Sequence, residues 1–170
     1  MNKVKKSVSF ILIFLISISV SVSGFCTADT DIILNEVSDY IRTMVPDPTV
    51  SSIGGEWAVF GLSRYNRESS KEYSDIYYQN LKNYLKSHDG VLDSRKYTEY
   101  SRVILALTAI GADPSNVDGI NLLTSLGDYN KVTFQGLNGS IWALIALDSG
   151  NYQIPLNPSA EVQSTRDMYI

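Results

Sequence analysis

The chain has 170 residues, with 14 basic and 18 acidic side chains, and its formal net charge is −4 at pH 7. An acidic chain repels the phosphates of nucleic acids, so nucleic acid is excluded as an expected partner. The sequence contains 1 cysteine, which excludes an intramolecular disulfide and requires an apolar core to hold the fold.

Residues 1–28 are predicted to be a secretory signal peptide. Three lysines lie among the first six residues, and an apolar run from Val8 to Val22 follows them. A retained membrane anchor is the alternative, but this run is about 15 residues long and a spanning helix needs about 20. Small residues suit cleavage after Gly24 or after Ala28, and the second cut also removes Cys26. We therefore expect a secreted or cell-surface chain with no membrane segment after cleavage.

Residues 29–154 are predicted to form helix pairs in which two kinds of helix alternate. The first kind is amphipathic, with apolar side chains at helical spacing from Asp29 to Val45 and again from Lys71 to Ser87. Asp113 followed by Pro114 is typical of a helix start and predicts a third amphipathic helix. The apolar face of that third helix consists of Val117, Ile120, Leu123 and Leu126.

The second kind of helix is apolar on all sides. Such helices are predicted over residues 56–65, 97–111 and 139–148. A helix of this kind must be buried on every side, so Trp57 and Trp142 are expected in the core. Buried strands are the alternative for short apolar runs, but alanine and leucine outnumber β-branched residues here and no alternation is present.

The alternation predicts an all-α fold of the α/α toroid type. Matching apolar pairs, Gly61-Leu62, Ala106-Leu107 and Ala143-Leu144, recur at intervals of about 40 residues, which is typical of helix-pair repeats. Apolar helices then form an inner layer and amphipathic helices an outer one. Six helices make only a partial or open toroid. Residues 155–170 are expected to be a linker and the start of a further, truncated repeat.

Three stretches of the sequence carry a family resemblance: residues 54–59, 97–107 and 135–150. They resemble exported bacterial proteins with prenyltransferase and squalene-cyclase-type repeats, and the likeness covers residues 31–170. The wider superfamily includes terpenoid cyclases, protein prenyltransferase β subunits and cobalamin carriers. The resemblance therefore implies the toroid fold and leaves the chemistry open.

No catalytic motif of that superfamily is present in the sequence. An Asp-x-Asp-Asp motif, an Asp-Asp-x-x-Asp motif and a zinc ligand cluster are all lacking, since His88 stands alone. We expect no catalytic residue, metal or cofactor, and interpret the chain as an exported scaffold or binding module. The alternatives are a cyclase- or transferase-type enzyme whose catalytic residues lie in a missing C-terminal half, and a cobalamin-type carrier.

A ligand site in a toroid lies at the ends of the inner helices, around the central cavity. The candidate binding residues are Glu56, Trp57, Glu99, Tyr100, Arg102, Gln135 and Asn138. The structural alternative is that Glu56 and Glu99 only satisfy helix starts, while Arg102 pairs with one of them. The expected partner is a small or extended ligand. A downstream domain, or self-association through the apolar end helix pair, is a further expected partner.

Overall fold

The computed structural model describes residues 25–52 and 54–170, and it divides the chain into two units at Met44 and Val45. Most of the predicted signal peptide, residues 1–24, lies outside the described residues. The first unit contains helix α1, Phe25–Met44, which begins earlier than predicted. Pro46 follows the end of α1, in agreement with the predicted stop, because proline cannot continue a helix.

The second unit is helical and confirms the all-α class. Its helices are α2 (Gly55–Tyr65), α3 (Lys71–Ser87), α4 (Thr98–Ile110), α5 (Tyr129–Thr133) and α6 (Leu137–Ser149). Two 3₁₀ segments, Leu122–Gly127 and Arg166–Tyr169, complete it. The described residues form no β-strand, and the only β-type pairings among them are two isolated bridges.

Helix α4 is the centre of the packing. It contacts α2, α3, α6 and segment 122–127, and α3 also packs against α2. Helices α2, α4 and α6 are called the α2–α4–α6 row, and α5 and segment 166–169 contact α6. The largest fully buried apolar side chains come from α2, α3, α4, α6 and segment 122–127 and include Leu62, Tyr77, Leu81, Leu85, Ile104, Leu107, Leu122, Leu126 and Leu147.

The predicted third amphipathic helix, starting at Asp113, is wrong. Val117 and Ile120 instead exchange backbone hydrogen bonds around a tight turn in which Gly119 has a φ of 87°. The side chains of Asp113 and Asn116 accept hydrogen bonds from nearby backbone N–H groups, which stabilises turns in competition with a helix. Of the predicted apolar face, Val117 is buried in the turn, Leu123 and Leu126 are buried in the 3₁₀ segment, and Ile120 is half-buried.

The apolar helices α2 and α6 are not buried on every side, contrary to the prediction. Trp57 is 43 % exposed instead of lying in the core, and Ile141 and Ile145 of α6 are also exposed. One face of the α2–α4–α6 row is left uncovered, because the outer elements pack against its other faces. We call this surface the tryptophan face; it comprises Trp57, Phe60, Arg64, Leu105, Thr108, Trp142, Ile145 and Ser149.

Residues 155–170 form an irregular segment that packs on its own unit. The backbone N–H of Ser164 donates to the carbonyl of Gly127, and the N–H of Tyr129 donates to the carbonyl of Val162. The Tyr169 hydroxyl lies 2.6 Å from the carbonyl oxygen of Leu126, to which it donates. Where the sequence predicted the start of a further repeat, the structure thus has an irregular segment with one 3₁₀ turn, Arg166–Tyr169.

Two helical glycines allow a matched test of this packing. A Cβ atom on Gly139 of α6 would lie 1.9 Å from the carbonyl oxygen of Val132, whereas one on Gly61 of α2 would meet no atom within 4 Å. We expect Gly139→Ala to lower the free energy of unfolding by about 1–3 kcal/mol through overpacking. Gly61→Ala should raise it by about 0.5–1 kcal/mol, because alanine favours a helix. Urea denaturation checks both values, and equal effects would contradict the close contact of α5 with α6.

Candidate functional site

The starts of α2 and α4 are joined by a buried polar cluster. Glu56 is only 2 % exposed, and its carboxylate accepts a hydrogen bond of 2.9 Å from the backbone N–H of Ser51. The Ser51 hydroxyl donates to Glu99 over 2.9 Å, and Arg102 forms an ion pair with the same carboxylate. Together with Tyr77, these residues are called the polar cluster below.

Ser51 connects both carboxylates because its backbone is left-handed, with a φ of 58°. Few residues other than glycine adopt this conformation, so the loop before α2 contains a strained residue. From there the N–H of Ser51 reaches Glu56 while its hydroxyl reaches Glu99. The loop before α2 and the first turn of α4 are therefore fixed to each other.

Burial is the largest cause of the pKa shifts in the polar cluster. It raises the pKa of Glu56 above its ordinary value of 4.5, although the N–H of Ser51 and the charge of Arg102 act in the opposite direction. Burial also raises the pKa of the Tyr77 hydroxyl well above 10.0, and the nearby charge of Glu56 adds to this shift. The Tyr77 hydroxyl and Oε2 of Glu56 are both buried without a hydrogen-bond partner among the described residues.

The geometry of the cluster agrees with the structural alternative for three of the candidate residues. Arg102 pairs with Glu99, as that alternative predicts, and both carboxylates lie in the first turns of their helices. Two further candidates, Tyr100 and Gln135, make hydrogen bonds at or near the start of α4. The hydroxyl of the buried Tyr100 accepts from the N–H of Leu92 at 3.1 Å, and Gln135 accepts from the N–H of Thr98 at 3.2 Å.

The two remaining candidates, Trp57 and Asn138, are exposed. Asn138 lies in the first turn of α6. Trp57 contacts Trp142 of α6, with ring centroids 5.4 Å apart and planes inclined by 55°. Trp57 also contacts Phe60 edge-on, with centroids 6.4 Å apart. Trp57 is therefore exposed and Trp142 half-buried at an aromatic surface, and neither is fully buried in the core as predicted.

A groove of about 480 Å³ continues from this aromatic surface towards the ends of the helices. Its lining combines apolar and polar side chains and consists of Phe60, Arg64, Leu105, Thr108, Ala109, Ile145, Asp148 and Ser149. The volume lies within the range of roughly 300–1,000 Å³ that is typical of small-molecule sites. Sequence reasoning missed this groove, although Trp57, Phe60 and Arg64 have the spacing of one helix face.

Most polar groups at the far end of the groove already have partners. Both carboxylate oxygens of Asp148 accept hydrogen bonds from Arg166, at 2.7 and 2.9 Å. The Thr108 hydroxyl lies 2.8 Å from the carbonyl oxygen of Ile104, and the Ser149 hydroxyl donates to the carbonyl of Ala146. Arg64 is exposed and has no hydrogen bond or ion pair with the described residues.

The polar cluster generates a prediction about pH. Because the pKa of Glu56 is raised in the folded chain, this group stabilises the fold below about pH 4.5 and loses that contribution as pH rises through the raised value. Each unit of pKa shift is worth about 1.4 kcal/mol. We expect the stability of Glu56→Gln relative to the native protein to increase between about pH 4 and about pH 7.

Urea denaturation over this pH range measures the difference. Arg102 and Glu99 of α4 and Tyr77 of α3 are the charged and titratable groups that act on Glu56, and the variant leaves all three in place. Glu72→Gln, at an exposed position of α3, controls for the loss of one negative charge. If the stability of Glu56→Gln relative to the native protein stayed constant or fell with rising pH, the assigned direction of the pKa shift would be wrong.

Three further observations bear on the class of site. In residues 25–52 and 54–170, no group of three or more His, Cys, Asp and Glu side chains is placed to hold a metal ion. No helix in the same part of the chain combines the length and the apolar character needed to cross a membrane. Comparisons of the chain with models of known protein families, with curated proteins and with solved structures found no match.

Proposed function

We propose that this chain is an exported or cell-surface binding module, built from helical repeats, that holds a small or extended apolar ligand on its tryptophan face. The observation that carries the proposal is the contact between the exposed Trp57 and the half-buried Trp142, beside a groove that Phe60 and Ile145 line. Clustered exposed apolar side chains on a small protein mark an interaction surface. Aromatic rings supply most of the contact area in such sites.

The order and packing of the helices support a partial toroid of the prenyltransferase and squalene-cyclase type. Helix α4 contacts both α2 and α6, and the amphipathic α3 packs outside this row. In an open toroid these three apolar helices form the inner layer, and their uncovered face lines the cavity. The exposure of Trp57 and Ile145 fits that position.

A binding role is favoured over catalysis because three carboxylates of the unit, Glu56, Glu99 and Asp148, have structural roles. Glu99 is paired with Arg102, and Glu56 is buried beside the start of α2. Asp148, the carboxylate that lines the groove, is paired with Arg166. A general acid or base needs a position within reach of the substrate, and these three carboxylates are committed to holding the helices and the C-terminal segment.

Binding of the neutral apolar fluorophore pyrene tests the proposal. The chain has 2 tryptophans and both lie on the tryptophan face, so energy transfer from tryptophan to pyrene reports on this surface. We expect saturable transfer. Ile145→Asp should weaken binding at least tenfold, a change of about 1.4 kcal/mol, because it places a charge in the groove.

Leu156→Asp is the matched control, since Leu156 is an equally aliphatic side chain that is 75 % exposed outside the groove. This variant should bind pyrene with unchanged affinity. Absence of saturable transfer in the native protein, or equal weakening by both variants, would refute the assignment of the ligand to the tryptophan face.

Export is tested by mass spectrometry of the protein produced in a bacterial host. The mature chain should begin at Phe25 or Asp29 and be recovered outside the cytoplasm. Leu12→Arg, within the apolar run, should leave the uncleaved chain in the cells, whereas Leu34→Arg should not affect cleavage. Native protein that retains Met1 and stays in the cytoplasm would contradict export.

A further inference from the structure

We propose that the ligand of the tryptophan face has an extended apolar body and a single anionic head group, and that Arg64 binds the head group. The inference rests on the proposed function and specifies the chemistry of the same site. It follows from the separation of apolar and polar side chains along the groove, with the aromatic residues at one end and Arg64 at the other.

The apolar end accommodates an extended chain. Trp57, Phe60 and Arg64 follow one another along one face of α2, and seven residues of helix correspond to about 10 Å. Trp142 and Ile145 run parallel to them on α6, and Leu105 of α4 forms part of the floor between the two helices. An apolar chain that lies in this groove is covered on both sides by apolar side chains.

The polar end has one cation available. Arg166 neutralises Asp148, and the hydroxyls of Thr108 and Ser149 are engaged with main-chain carbonyls. The guanidinium of Arg64 is the group in the groove lining that lacks a partner among the described residues. Its donors form a planar fork that matches a carboxylate, so the head group that completes this end is an anion.

Two electrostatic effects oppose each other at this end of the groove. Helices α2, α4 and α6 all end nearby, at Tyr65, Ile110 and Ser149, and helix C-termini disfavour an anion. This effect is weak at exposed helix ends, whereas a carboxylate accepts two hydrogen bonds from one arginine, and hydrogen bonds to charged groups are stronger than neutral ones. Two arginines, Arg64 and Arg166, and one carboxylate, Asp148, also give this end of the groove a net positive charge, although the whole chain has a net charge of −4.

The experiment compares decanoate with decanol, which have the same apolar chain and differ in the charge of the head group. Binding is followed at neutral pH by tryptophan fluorescence and by calorimetry on the purified protein. We expect decanoate to bind at least fivefold more tightly than decanol. Arg64→Gln should remove this preference without weakening decanol, and Arg64→Lys should restore part of it.

Arg95→Gln is the matched control, because Arg95 is an exposed arginine that packs over Phe134, outside the groove. It should leave the preference for decanoate unchanged. Thermal melting by circular dichroism shows whether each variant is folded. Since Arg64 is exposed and makes no polar contact with the described residues, its replacement should not change the melting temperature.

The outcomes separate the two proposals. Equal affinity for decanoate and decanol, or a preference that Arg64→Gln leaves intact, would overturn the assignment of the head group. Saturable pyrene binding in that case would still support the tryptophan face as a binding site. If pyrene, decanoate and decanol all fail to bind, the proposed function fails as well.

Discussion

The burial of α4 between α2 and α6 is the packing on which the rest of the second unit depends. Val103, Ile104, Ala106 and Leu107 have no more than trace contact with solvent. Together with Leu105, which is 6 % exposed, these residues point in all directions around the helix axis, so α4 needs neighbours on nearly all sides. Because α2 and α6 supply two of these neighbours, Trp57 and Trp142 are brought within contact distance of each other.

The polar cluster supplements this apolar packing with a directional link. Apolar contacts allow helices to slide, whereas the hydrogen bonds of Ser51 to Glu56 and Glu99 fix the start of α2 relative to the start of α4. The carboxylates are held at the cost of removing them from water, which is why burial dominates the pKa of Glu56. The burial of Glu56 thus helps to position α2 relative to α4, and it lowers the stability of the fold at neutral pH.

Sequence periodicity predicted α3 to the residue and the apolar helices α2, α4 and α6 within about two residues, and glycines follow the ends of α3, α4 and α6. It failed between Asp113 and Gly127, where most apolar residues are buried but side-chain hydrogen bonds favour turns. It identified Glu56, Glu99 and Arg102 as neighbours of the helix starts. It missed the groove, because which side of an apolar helix stays uncovered depends on tertiary packing and not on its own sequence.

The pairing of Arg166 with Asp148 has a consequence for the C-terminal segment. This ion pair ties the segment to the last turn of α6, at the same end of the groove as Arg64. A ligand that changes the electrostatic potential at Asp148 also changes the free energy with which the segment docks. Thermodynamic linkage then requires the reciprocal effect: the docked and undocked states of residues 155–170 differ in ligand affinity by the same factor.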